Sequence, residues 1–187
     1  MPDGPAAPAD ARTRILDAAE AVVIARGVAG LTLEGAARGA RVSKGGLLYH
    51  FASKEALVAA LLERLAAFVS AEFEARVAAE PPGPHRVARA MLAWSLDGPP
   101  EAMCARYERA SAVFLSAHHH DPALLDPMRA VFRAMKDRLL ADGTPPGPAL
   151  AIMAAGDGLF MASVFRTWEP SAGERAALRA SLAGLLR

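Results

Sequence analysis

Apolar residues recur at three- and four-residue spacing along almost the whole chain, and this period is what most narrows the fold. It gathers apolar side chains into a stripe along a helix, whereas a half-buried strand needs strict alternation. No segment carries the alternating, β-branched pattern of a strand, so an all-α protein of about nine helices is expected. The first helix is read from about Asp10 to Arg26, with Ile15, Leu16, Ala19, Val22 and Val23 on one face and Gly27 closing it. Thr32 is placed to cap a short helix reaching about Gly39, with Glu34 in its first turn. Ser43 caps a second short helix through Tyr49. Ser53 caps a long one that Pro81 stops, about 39 Å at 1.5 Å per residue. Beyond it, PPGP, DGPP, the His-Asp-Pro stretch, GTPPGP and EPSAG punctuate five more helical patterns.

Charge enters through its placement. The formal net charge is +1, which disfavours a protein that coats nucleic acid indiscriminately. Between Arg38 and Lys54, however, the ionised residues are Arg38, Arg41, Lys44 and Lys54, with His50 besides and no acid. A solvated helix face gives the same run, so charge alone decides nothing. Cys104 is the one cysteine, which precludes an intrachain disulfide and fits a reducing cytoplasm. The opening MPDGPAAPAD has no basic residue ahead of an apolar run and is expected to be a disordered tail over 1–9. The apolar stretch from Ala149 to Phe165 is interrupted by Asp157 and falls short of roughly 18 residues, so it is read as a buried helix, with no membrane partner.

The two short helices around residues 32–50 have the proportions of a helix-turn-helix, whose second helix enters the major groove of DNA. Gly45 and Gly46 would let the backbone approach the groove floor, and each costs roughly 0.5 to 1 kcal/mol of helix stability. Close approach to a ligand is therefore a better account of them than scaffolding. Lys44 suits a base edge or a phosphate, and Tyr49, His50 and Lys54 suit phosphates. Lys54 stands at a helix start, where free amides favour an anion.

The segment GLTLEGAARGARVSKGGLLYHFASKEALVAALLERL resembles the DNA-binding domain of the TetR family of bacterial regulators, and the likeness runs over residues 10 to about 65. It implies that Thr32 caps a helix facing the phosphate backbone. Ser43, Lys44, Gly45 and Leu47 fall on recognition-helix positions near bases, and Tyr49, His50 and Lys54 on phosphate contacts. Phe51 and Leu57 match core positions. Two departures stand out. Arg41 occupies the turn position where the family has glycine, at a cost of order 1 kcal/mol if left-handed, although an arginine gains access to a phosphate. Gly35 and Gly39 weaken the bracing helix. The resemblance also implies domains at 10–55 (helix-turn-helix) and 56–187 (ligand binding and dimerisation). Helices at about 148–168 and 172–186 would join their twofold mates in a four-helix bundle. The implied function is a repressor that binds a palindromic operator in double-stranded DNA as a dimer and releases it when a small-molecule effector binds.

Met91, Trp94, Met103, Tyr107, Phe114, Met128, Phe132 and Met135 fit either a plain core or the lining of an apolar cavity, which the resemblance implies. Asp157 is a polar anchor in that cavity, or else half of an ion pair with Arg166 or with the other subunit. His118, His119 and His120 do not face one another on a helix and have no second ligand cluster, so no metal site is expected and a loop is the better account. His118 follows Phe114 by one helical turn and is a candidate ligand or pH sensor. No cofactor is expected. GARVSKGG lacks the order of a phosphate-cradling GxxxxGK[ST] loop, and no nucleophile, base and orienter suggest themselves, so an enzyme is disfavoured. A helical dimer acting through protein contacts stays open.

Overall fold

The computed structural model describes residues 10–98 and 103–187, and the tail expected over 1–9 lies outside them. Nine α-helices and no strand are found among the described residues. They are α1 (Ala11–Arg26), α2 (Leu33–Gly39), α3 (Lys44–His50), α4 (Lys54–Ala79), α5 (Arg86–Asp97), α6 (Cys104–His120), α7 (Asp126–Ala141), α8 (Pro146–Phe165) and α9 (Ala172–Gly184). The all-α expectation holds.

Local chemistry accounts for the boundaries. The Asp10 carboxylate accepts the Thr13 amide at 2.7 Å and opens α1, and Gly27, at φ 71°, closes it. Thr32 Oγ1 accepts the Gly35 amide and Ser43 Oγ the Gly46 amide, each at 3.0 Å, while Ser53 Oγ accepts that of Ala56 at 3.2 Å. Helix α9 begins with a full capping box between Ser171 and Glu174. Helix α2 ends in a Schellman motif, with the Val42 amide bonded to Ala37 O at 3.0 Å and the Arg41 amide to Arg38 O at 3.2 Å. That geometry puts Arg41 at φ 55°, the left-handed conformation that glycine adopts at least cost.

The chain divides into two compact units. One comprises the chain up to Leu65 together with Glu108–Pro127, the other Ala66–Tyr107 together with Met128–Arg187. In the first, α1 packs on α2 and α3, and α2 packs on α3. Ile15, Leu47 and Leu57 are wholly buried there. Gly39 serves this packing, since a Cβ on it would stand 3.0 Å from the Ala18 Cβ of α1. Ser116 Oγ of α6 accepts the Val28 amide at 2.9 Å. Arg64 pairs with Asp17 at 2.6 Å and also with Glu20. In the second unit α5 is the central packing element, in contact with both α8 and α9. Its core joins Phe73, Val87, Met91, Leu96, Met135, Leu139 and Ile152.

Two expectations are corrected. His118, His119 and His120 form the last turn of α6 instead of a loop, and all three are exposed. Helix α8 is 20 residues long, and by length and mean hydropathy it is apolar enough to cross a membrane. It is not buried within the chain, because only Ala149 and Ile152 are enclosed. Leu150, Phe160, Met161 and Phe165 are left exposed.

Candidate functional site

Helix α3 has one inward and one outward face. Leu47 is wholly buried, and Ser43, Lys44, Gly45, Leu48 and Tyr49 are exposed, Tyr49 to 87%. The base-reading position expected at Leu47 is thereby corrected. On a seven-residue helix a one-residue shift turns the side chain by about 100°, and Leu48 takes the outward place. Phe51 and Leu57 are in the core, as expected.

Around this face lie the other expected contacts. Arg41 and Thr32 are exposed. His50 is half-exposed and meets the Tyr49 ring edge-on, with centroids 5.1 Å apart. Lys54, the first residue of α4, donates from Nζ to Ala29 O at 3.3 Å. The glycines separate by environment. A Cβ on Gly46 would press on the capping Ser43 Oγ at 3.2 Å, and one on Gly45 would have nothing nearer than 4.0 Å.

Glu34 was missed as part of this surface. Its carboxylate, on α2, takes Lys44 Nζ at 2.5 Å, with both side chains about 60% exposed. The hydrogen bond from Lys44 is the largest of the effects that hold the Glu34 carboxyl below its usual range. The two residues lie ten positions apart on different helices, a distance no sequence period marks.

The residues expected to meet a ligand fall in different places. Met91 and Met135 are core, Trp94 and Phe132 are packed against that core, and Met128 is buried. Met103 is half-buried. Phe114 and His118 belong to the first unit, and His118 is exposed, so an inward-facing histidine is corrected. Asp157 is also exposed, which corrects its placement as an anchor inside a cavity, and no ion pair to Arg166 is found among the described residues. Partial burial nonetheless raises its carboxyl above the usual range, because apolar neighbours take part of its hydration. A cavity of about 300 Å³ lined by Val77, Arg86, Val87, Arg138, Ala141 and Asp142 holds none of these candidates.

The structure does join Trp94 and Tyr107. The Trp94 indole N–H donates to the Tyr107 hydroxyl at 3.0 Å, which donates onward to the Glu72 carboxylate at 3.0 Å. Phe68 meets Tyr107 edge-on at 5.4 Å, and Phe73 lies 6.5 Å from Trp94. Burial, assisted by Glu72, holds the Tyr107 phenol above its ordinary range, while the Trp94 N–H works the other way. Glu72 was not singled out from sequence, although Phe68 four residues earlier on α4 places a ring on the same helix face.

Comparison with known proteins bears on both parts of the chain. Residues 15–61 match the family model for bacterial regulatory proteins of the tetR family, and 85–187 match the one for a tetracyclin repressor-like C-terminal domain. No curated protein matches significantly. Among solved structures, a TetR family member from Streptomyces coelicolor A3 is 28% identical, with a TM-score of 0.67 over 96% of this chain and 99% of its own. The multidrug binding protein EbrR, complexed with malachite green, is 30% identical, with a TM-score of 0.63 over 94% of this chain and 98% of its own. A chain from Pseudomonas aeruginosa PAO1 shares the fold at 18% identity, with a TM-score of 0.72 over 92% of this chain and 88% of its own. The protein belongs to the TetR family, whose members are DNA-binding transcriptional regulators and not enzymes.

Proposed function

We propose that the chain is a cytoplasmic repressor that binds a palindromic operator as a homodimer and leaves it when a small molecule binds. The observation that carries the DNA half is the outward face of α3. Tyr49 is almost fully exposed, and Gly45 has open space where a side chain would stand. A helix accepts a glycine at a cost, and no close contact among the described residues accounts for this one, whereas close approach to a groove floor does. In this reading Lys44, Gly45 and Leu48 face bases. Thr32, Arg41, Ser43, Tyr49, His50 and Lys54 face the backbone, and Gly46 keeps the cap tight. Lys44 leaves Glu34 as it engages DNA. The DNA-binding domain spans 10–55, and 56–187 hold ligand binding and dimerisation.

The dimer half rests on α8 and α9. Leu150, Met161 and Phe165 lie on one exposed stripe of α8, and α9 has no buried residue at all. A second copy covering both helices would bury an apolar face that a soluble monomer rarely displays. That cover also accounts for α8 better than a membrane does, since Asp157 lies midway along it. Recognition helices about 34 to 36 Å apart or slightly more would then read two half-sites. The effector half is supported by the likeness to EbrR, solved with malachite green. The test is binding to DNA upstream of the protein's own gene against scrambled DNA of equal length, at fixed near-physiological salt. Saturable preference with a protected palindrome supports the reading, and equal weak binding to both fragments overturns it.

A further inference from the structure

Between Leu31 and Lys54 the sequence holds a single acid, Glu34, against Arg38, Arg41, Lys44 and Lys54. The fold sets that acid on the face assigned to DNA, where its carboxylate meets Lys44 Nζ at 2.5 Å and both side chains are about 60% exposed. Stability is a thin reason for the pair, because ion pairs this exposed contribute little. The hydrogen bond from Lys44, first among its causes, holds the Glu34 carboxyl below its usual range. At neutral pH the group is therefore ionised and only accepts hydrogen bonds. Such a group brought against duplex DNA is repelled by the phosphates unless a donor on the DNA takes it.

In the major groove the donors are the amino groups at cytosine N4 and adenine N6. Lys44 and Glu34 together present a donor beside an acceptor. A G·C pair presents the complement, with guanine N7 and O6 accepting and cytosine N4 donating, and its O6 and N4 stand one hydrogen bond apart. An A·T pair also sets a donor beside an acceptor, but adenine N7 would then stand next to the carboxylate and the thymine methyl next to the ammonium. We propose that Glu34 is a base-reading residue, accepting from a cytosine amino group while Lys44 donates to the guanine paired with it, so that each operator half-site carries a G·C pair at this place. This rests on the reading of α3 given above. As Lys44 exchanges the carboxylate for guanine, Glu34 exchanges the ammonium for cytosine, and neither is left in the groove without a hydrogen-bond partner.

The test incubates the full-length protein, at fixed salt, with a pool of double-stranded DNA carrying a random core between constant ends, and sequences the DNA retained over several rounds. The parent enriches a palindrome with a G·C pair fixed at one place in each half. Glu34→Gln, whose amide also donates and so suits adenine, loses the preference for G·C at that place by on the order of tenfold, while the other positions keep theirs. Lys44→Ala relaxes the same pair. A second measurement needs no variant. In the selected site that cytosine is replaced by N4-methylcytosine, whose remaining amino hydrogen is used in pairing with guanine, and the parent binds on the order of tenfold more weakly. A palindrome without a fixed G·C pair, unchanged base preferences in Glu34→Gln, a uniform rise of its affinity for all sequences, or N4-methylcytosine tolerated by the parent overturns the proposal. If the parent enriches no sequence at all, the regulator reading falls and this inference with it. An enriched palindrome whose G·C pair does not depend on Glu34 leaves the regulator standing and sinks this inference alone.

Discussion

At the scale of single residues, glycines separate the demands of the fold from those of a partner. Gly39 is needed where α2 presses on Ala18, and Gly46 is tight against the Ser43 cap, but Gly45 faces open space. Gly45→Ala is therefore expected to stabilise the protein by roughly 0.5 to 1 kcal/mol while weakening operator binding. Thermal denaturation together with a DNA titration reads both signs, and a loss of stability or unchanged affinity would count against a groove-facing backbone. Arg41 poses the complementary case. Its left-handed φ of 55° costs on the order of 1 kcal/mol, so Arg41→Gly is expected to raise stability by about that amount. If the arginine touches a phosphate, the same variant binds all sequences more weakly and lowers the slope of log K against log salt by about 1. Much of this surface was legible beforehand. Thr32, Ser43 and Ser53 cap the helices they were expected to cap, because a hydroxyl ahead of an apolar run has a local chemical reason to be there. Leu47 was misread because residue type does not fix the rotation of a seven-residue helix, and the Glu34–Lys44 pair joins helices whose approach only tertiary packing sets.

At the scale of elements, α8 shows why periodicity reveals a helix more readily than its burial. Its composition marks it as apolar on most sides, which fits a core and an interface equally well, and the chain alone encloses only Ala149 and Ile152. One face is committed to α5. A Cβ on Gly156 would run into Ser95 Oγ, so a side chain there would turn the serine hydroxyl away. The histidines of α6 are a similar case, since neighbours that cannot share a metal can still extend a helix by a turn. Asp157 supplies the prediction at this scale. Its carboxyl is raised by loss of hydration, so the folded state binds the proton more tightly than the unfolded chain does. Stability from this group is fullest below the ordinary carboxyl range and declines as pH climbs through the raised value. Asp157→Asn is accordingly expected to stabilise the protein at neutral pH by a modest amount, with the difference vanishing in acid. A pH series of denaturation midpoints checks this, and an aspartate that outperforms asparagine at neutral pH would show instead that a cation of the partner copy meets it.

At the scale of the whole molecule, dimerisation, operator binding and effector binding draw on one set of equilibria. An apolar face on α8 and α9 covered by a second copy makes folding stability depend on protein concentration, because assembly favours the folded state by mass action. The denaturation midpoint of the parent should therefore rise with concentration. Phe165→Glu, a charge placed on the exposed face of α8, should abolish that rise and weaken operator binding by orders of magnitude, since two half-sites are no longer engaged together. The effector joins the same scheme. A coupling of about 1 to 3 kcal/mol lowers operator affinity roughly 5- to 150-fold, and linkage requires the operator to lower effector affinity by an equal factor. Measuring both arms with a small molecule found to bind the protein and with an operator fragment closes the cycle. Equal factors are expected for a protein with two conformations that the ligands favour oppositely. If that small molecule binds with the same affinity whether or not the operator is present, it and the DNA do not oppose each other, and release of the operator has to come from something else.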